Sequence, residues 1–477
     1  MFQKSATAPA TQTRPGLTLA AVAVVQFMVS LDLSVVNVGL PQIADGLGFS
    51  AVNLAWVIHA YALTFGGLLL LGGKAADRYG RRRVLLAGLT LFGLASLAGG
   101  FAQEPGHLIA ARAVQGIGAA TLAPAALALL TSTFPGGKPR VRAFGIWSAT
   151  NAAGGALGVL IGGLLTQYVS WRGVMFVNVP MVAVALFMAS RIAAGPPAAR
   201  AGRPDVLGGV LATAGMVTLV FGVIRTDRHS WTSAVTLTTL AIAVVLLAGF
   251  IAVERTTRRE PLVRLGLFAN RSVSGANAFN LLVGAGMASS FYFMSLYLQR
   301  VLGHGPAESG AMFVPFALGV IVGSVLAIKL GYRFAAPKLL AAGALLTAVG
   351  FAWFGMISLD GSFLTDVLGP SIIASVGFGL CLAPLVSTAT AGVDPGEAGT
   401  ASALLNSSRQ IGASLGLAAL GTAANHRTGS GTTPSALNDG YALGLTLCAA
   451  LLAGAVIIVL ALLRRTGALA PAAHDVP

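Results

Sequence analysis

Charge is what this sequence has least of. Asp, Glu, Lys and Arg make up 9% of its 477 residues, where a soluble domain carries roughly a quarter. Hydrophobic residues account for 56%, with a mean hydropathy of +0.82. That composition excludes a water-soluble enzyme or binding module. Acid is scarcer still, with 15 Asp and Glu against 30 Lys and Arg. Cysteine is nearly absent: Cys381 and Cys448 both fall in apolar blocks, where they read as buried fillers and not as a disulfide. No metal-ligand cluster, nucleotide loop or nucleophile motif is visible, so neither an enzyme nor a bound cofactor is expected. Arg outnumbers Lys and Ala and Gly abound, which points to a GC-rich bacterial genome.

What the chain does have is apolar blocks of about 20 residues, each long enough to cross a bilayer as a helix. Lipid offers no water to unpaired backbone groups, so the fold class is an all-α polytopic membrane protein. The blocks lie near 17–40, 52–73, 84–103, 107–134, 143–167, 173–194, 206–225, 233–253, 272–299, 309–330, 338–358, 365–391, 399–424 and 440–463. That predicts fourteen transmembrane helices with both termini on one side. The first block is too long for a signal-peptide core and lacks a small-residue cleavage site, so it reads as a retained helix. The shared side collects 23 of the 30 Lys and Arg, the opposite side five, and Arg112 and Arg409 remain within helices. The positive-inside rule then places both termini in the cytoplasm. The excess base is topogenic, and nucleic acid is not an expected partner. Treating 206–253 as a non-membrane insert would give twelve helices in the same orientation; its two clean apolar blocks favour fourteen.

The two ends of the chain echo each other. Arg78 and Arg83 recur as Arg333 and Lys338, "GIGAATLAP" (116–124) as "GFGLCLAP" (377–384), and "NAAGGALG" (151–158) as "NSSRQIGASLG" (406–416). The predicted organisation is a tail (1–16), a six-helix bundle (17–194), a linker with two added helices (195–271), a second six-helix bundle (272–463) and a tail (464–477). Paired six-helix halves around a central site are a secondary-transporter architecture.

Local motifs sharpen this. "GGKAADRYGRRRVL" (72–85) resembles the Gly-x-x-x-Asp-Arg-x-Gly-Arg-Arg pattern of the major facilitator superfamily, here Gly73, Asp77, Arg78, Gly80, Arg81 and Arg82. "ARAVQGIGAA" (111–120) resembles its helix-4 motif. "LDLSVVNVGLP" (31–41) is similar to the helix-1 motif of the fourteen-helix drug:proton antiporters, and "SWRGVMFVNVP" (170–180) and "YLQRVLGHGPAESG" (297–310) resemble further stretches of that family. The antiporter motif of helix 5 is represented by Gly154, Gly158, Gly162 and Gly163, with Val159 where the pattern has Pro. Its glycines allow close helix approach, but no proline fixes a kink. The resemblance implies two six-helix bundles, proton-coupled drug efflux, and a loop around Asp77 that latches to the other half in one state only. The second copy of that loop has Tyr332 in place of the acid.

Within helix 1, Gln26, Ser30, Ser34 and Asn37 form one polar stripe at i, i+4, i+8 and i+11, and Asp32 lies on nearly the opposite face. An acid there packs toward another helix and is read as the proton site; a permanent structural ion pair is the alternative. Asp32 lies roughly 12 Å below the outer end, Arg112 roughly 8 Å and His59 roughly 10 Å, at 1.5 Å per residue. Arg112 is therefore the expected partner of Asp32. His59 is left open between substrate, proton relay and a local hydrogen bond, the last favoured. Trp56 and Tyr61 read equally as interfacial anchors. Gln115 lies in the helix-4 motif. Ser402, Asn406, Arg409 and Gln410 give a wet face to helix 13, where Arg409 suits substrate contact as well as a structural role. The aromatics of "FYFMSLY" (291–297), with Met287 and Met294, read as an adaptable pocket or as lipid-facing packing. Asp366 should lie near a helix end.

The expectation is a proton-driven exporter of amphipathic organic compounds in the cell membrane, working as a monomer with the proton as coupling ion. A transporter of one specific small metabolite is the alternative. A receptor would not need the matched acid and base, and a membrane enzyme would need the missing nucleophile or metal ligands.

Overall fold

The computed structural model describes residues 15–134, 137–192, 205–226, 229–257, 261–394, 397–429, 431 and 433–463. Nearly all of both expected tails, and part of the expected linker, lie outside these residues. Among the described residues there are helices and no strands. Thirteen spans are long and apolar enough to cross a membrane: α1 (Pro15–Leu47), α2 (Trp56–Tyr79), α3 (Arg81–Gly100), α4 (Pro105–Thr133), α5 (Gly137–Tyr168), α6 (Trp171–Ser190), α7 (Val206–Arg225), α8 (Ala234–Thr256), α9 (Arg271–Val301), α10 (Pro306–Gly331), α11 (Ala336–Phe354), α12 (Phe363–Ala389) and α14 (Pro434–Leu462). Between the last two runs α13 (Ala398–Thr428), just as long but more polar.

Local chemistry sets the ends. Pro stands in the first turn of α4, α10, α11 and α14, where its missing N–H costs nothing. Asp205, Ser233 and Asn270 cap α7, α8 and α9 through their side chains. Gly80 joins α2 to α3 at φ 96°, a conformation that side chains resist.

Two expected boundaries change. Helix 1 does not stop at Leu40; it passes through Pro41 and ends at Leu47. The bond that Pro41 cannot give to Asn37 is replaced by Ser295 Oγ, 2.8 Å from the Asn37 carbonyl. Helix 6 is broken at Val177 into Trp171–Phe176 and Asn178–Ser190, and ends short of 194. By contrast α5 runs unbroken past Val159, as a helix without an internal proline should.

The packing repeats along the chain. In the first half α1 lies on α5, and α4 on α2 and α3; in the second α9 lies on α13, and α12 on α10 and α11. The halves meet along α2–α13 and α5–α10, with a lighter α1–α9 contact. Helices α7 and α8 pair with each other, and α7 rests on both α2 and α13, astride that seam. Small residues make the closest approaches. A Cβ on Gly158 would lie 2.8 Å from the Leu31 carbonyl, and one on Gly162 2.5 Å from that of Val35. Gly154 meets Phe27 in the same way, so three glycines seat α5 directly on α1.

Candidate functional site

The interior of the first half holds a buried polar cluster. Asp32 is fully buried and Arg112 is 2% exposed, with Arg112 Nη1 2.7 Å from Asp32 Oδ2. Arg112 also donates from Nε to the Val57 carbonyl (3.1 Å) and from Nη1 to Gln115 Oε1 (3.0 Å). Its guanidinium lies 4.3 Å above the Tyr61 ring. The other carboxylate oxygen accepts from Asn178 Nδ2 at 2.8 Å and more loosely from Gln115 Nε2 at 3.4 Å. Ser96 Oγ accepts from both amides and donates to the Met175 carbonyl. One acid thus gathers groups from α3, α4 and α6.

Depth in the sequence had matched Asp32 with Arg112, and they touch. Gln115 joins them. Ser96 and Asn178 escaped the sequence reading: each is a lone polar residue in an apolar stretch, and only the resemblance around 170–180 pointed near Asn178. His59 does not join. It is buried on another face, edge-on to Trp56 at 5.6 Å, and neither ring nitrogen has a hydrogen-bond partner among the described residues. Tyr61 is no interfacial anchor, because it lies fully buried beneath Arg112.

The stripe on α1 turns the other way, as its spacing requires. Gln26 Nε2 and Ser30 Oγ both donate to Asn151 Oδ1 on α5, at 2.7 and 2.5 Å. Ser34 and Asn37 bond back to their own helix, at the Ser30 and Leu33 carbonyls. On α13, Asn406 is exposed, Arg409 half-buried and Gln410 buried. The aromatic run does not face lipid: Tyr292, Phe293, Met294 and Tyr297 are buried within the second half. Phe291 stacks on Phe313 at 5.3 Å beside a small cleft that includes Ser290, Phe316 and Ser371. Asp366 lies at the start of α12, accepting from Tyr297 and Ser358. Cys381 and Cys448 are buried free thiols.

The two ends of the seam differ. At the end away from Pro15, Gln42 pairs with Gln299, Gln299 donates to the Val38 carbonyl, and Arg300 meets Asp45 at 2.5 Å. Gln167 of α5 accepts from the Ala307 N–H of α10, and Gly163 abuts Pro306. At the other, basic end, Asp77 is exposed and has no hydrogen bond or ion pair among the described residues. Arg82 binds the Ala189 and Ser190 carbonyls within its own half, while Arg78 is exposed and Arg81 half-buried. Gly73 has open space around it, with only Pro124 within contact distance of a would-be Cβ.

Two packed sets of helices, fastened across one end of a seam, with a buried acid–guanidinium pair beside it, make a polytopic membrane transporter. The Major Facilitator Superfamily model matches residues 22–417. The chain is 44% identical to a cephamycin export protein of Amycolatopsis lactamdurans, covering 86% of this chain and 84% of that one. It is 39% identical to a puromycin resistance protein of Streptomyces alboniger, over 91% and 87% of the two chains. A tetracenomycin C resistance and export protein of Streptomyces glaucescens is 36% identical over 87% and 77%. Among solved structures, the POT family transporter PepTSo superposes with a TM-score of 0.69 at 16% identity, covering 97% of this chain and all of that one. A bacterial homolog of the human lysosomal transporter Spinster, in an inward-facing and unoccupied conformation, gives 0.66 at 19%, over 97% and 100%. At such identities these two speak to the fold alone. The chain belongs to the major facilitator superfamily, among its drug-efflux transporters.

Proposed function

We propose that this protein uses inward proton flow to export amphipathic, antibiotic-like organic compounds across the bacterial cell membrane. The observation that carries the reading is the Asp32 carboxylate, fully buried yet held by Arg112, Gln115 and Asn178. Relatives named for export of cephamycin and tetracenomycin C, and for resistance to puromycin, support the class of cargo.

A dry carboxylate is tolerable while the guanidinium neutralises it. If rocking of the halves draws Arg112 away, the charge is stranded, and proton uptake removes the cost; restoring the contact expels the proton. One proton driven by about 100 mV supplies roughly 2.3 kcal/mol, enough for about a fifty-fold gradient of neutral cargo. Residues 17–194 and 272–463 serve as the two rocking bodies within a single monomer. The Lys and Arg gathered at the basic end support putting that end, with both termini, in the cytoplasm. Fastening at the far end and an Asp77 without a partner among the described residues then correspond to a state that loads cargo from the cytoplasm, with Gly73, Arg78, Gly80, Arg81 and Arg82 framing the latch. Export into everted vesicles, followed with an imposed pH gradient, tests this: Asp32→Asn should lose gradient-driven accumulation. Wild-type rates in that variant would overturn the coupling.

A further inference from the structure

The geometry points to Arg409 as an anion-recognising group, so that the preferred cargo of the proposed exporter is an amphiphile carrying a carboxylate. This rests on the export reading and narrows its substrate class.

The placement of Arg409 follows from its helix. Gly412 and Gly416 of α13 press on Leu281 and Ala285 of α9, and Gln410 and Ser407 press on Gly66 of α2. The main chain of Arg409 rests on Gly284 of α9, at the edge of the first contact, and with Ser402 and Asn406, at i, i+4 and i+7, Arg409 borders the strip between the two contacts. That strip faces the seam between the halves, and Asn406 is exposed there. Arg409 is eleven residues beyond Ala398, where α13 starts, or roughly 16 Å at 1.5 Å per residue. It is therefore near mid-membrane.

At that depth its charge has no counterpart. Arg409 makes no hydrogen bond or ion pair among the described residues. The other acids within or beside the helices are engaged or lie at an end of the seam, Asp205 capping α7 at the basic end. Asp32 belongs to Arg112, and Glu254 holds the Leu262 and Val263 amides at the basic end. Asp366 and Asp45 are bound at the far end by Tyr297 and Arg300. A guanidinium keeps its proton in proteins, so an unmatched positive charge faces the seam. Its planar fork fits two carboxylate oxygens. The Asn406 amide, one turn nearer the basic end and bonded only loosely to the Ser402 carbonyl at 3.4 Å, adds a neutral donor beside it.

The charge also fixes what transport does electrically. An anion leaving while a proton enters moves two charges per cycle, against one for a neutral cargo. Export of an acid should therefore steepen more with inside-negative potential than export of its ester.

The test uses full-length protein in phosphatidylcholine nanodiscs, titrated with dansyl-phenylalanine and with its methyl ester. Wild type should bind the acid at least ten-fold more tightly than the ester. Arg409→Gln should erase the difference by weakening the acid alone, and Arg409→Lys should keep part of it. Equal binding of acid and ester by wild type, or no binding of either, overturns the proposal without recourse to any variant, as does a preference that survives Arg409→Gln. The exporter reading is judged separately, by accumulation of a panel of acidic, neutral and cationic compounds in cells lacking the protein. Export of those compounds without an acid preference would remove the anion site and leave the exporter standing.

Discussion

Ser295 and Asn37 belong to different halves of the molecule, and Ser295 Oγ donates to the Asn37 main-chain carbonyl at 2.8 Å. That carbonyl is available because residue 41 is proline and has no N–H to offer it. Gln299 takes the next carbonyl, that of Val38, and Arg300 reaches that of Pro41. A proline inside α1 thus frees one acceptor, and α9 bonds it together with the Val38 and Pro41 carbonyls to fasten the far end. Pro41→Ala would return the Asn37 carbonyl to its own helix. The far end should then open more often by about five-fold, the worth of roughly 1 kcal/mol. Spin-label distances between the far ends of α1 and α9 check this; an unchanged distribution would refute it.

The same closure can be locked. Asp45 and Arg300 touch across the seam, and the native thiols are buried. Asp45→Cys with Arg300→Cys should be bridged by a bis-methanethiosulfonate reagent long enough to replace the Arg side chain, stop transport, and regain it on reduction. Transport that continues while the crosslink is intact would mean the far end need not part.

Arg112 and Asp32 should behave as a unit. Arg112→Gln strands a buried carboxylate and should destabilise the protein by about 3–5 kcal/mol. Adding Asp32→Asn to it should recover much of that loss, since the stranded charge is gone, but should not recover proton-driven transport. Thermal unfolding in detergent, paired with vesicle transport, separates the two effects. Equal stability of the single and double variants would contradict the arrangement.

Glycines of two motifs should part company. A side chain at Gly158 or Gly162 strikes α1 backbone, so Gly158→Val or Gly162→Val should cost about 1–3 kcal/mol through overpacking and lower transport with it. Gly73→Ala meets only Pro124, at 3.6 Å, and should stay within about 0.5 kcal/mol of wild type. Denaturation midpoints of these variants decide the matter.

His59 is buried and has no hydrogen-bond partner among the described residues. His59→Met keeps its bulk and removes an unsatisfied polar ring, so stability should hold or rise. Transport should remain within two-fold of wild type. A large loss of coupling with folding intact would instead put the imidazole in the proton path.

What the sequence could and could not disclose divides along a geometric line. Depth along a helix is a count of residues, and counting brought Asp32 and Arg112 together. Azimuth is harder. The α1 stripe was readable because Gln26, Ser30 and Ser34 recur at helical spacing, but His59 has no periodic companions, and the local hydrogen bond favoured for it finds no partner among the described residues. Ser96 and Asn178 are single polar atoms' worth of signal in apolar helices, decisive only once packing converges on them. Pro41 looked like a terminus because the partner that rescues its lost hydrogen bond is more than two hundred residues away at Ser295.

Helix α7 lies against α2 on one side and α13 on the other. An element that leans on two bodies cannot keep its grip on both once they tilt. Any tilt between the two bodies would shift its footing on Gly67 through Thr213 or its apolar seat on Ala418 through Val220. The α7–α8 pair therefore covers the α2–α13 flank of the seam and leaves the α5–α10 flank without such a cover among the described residues.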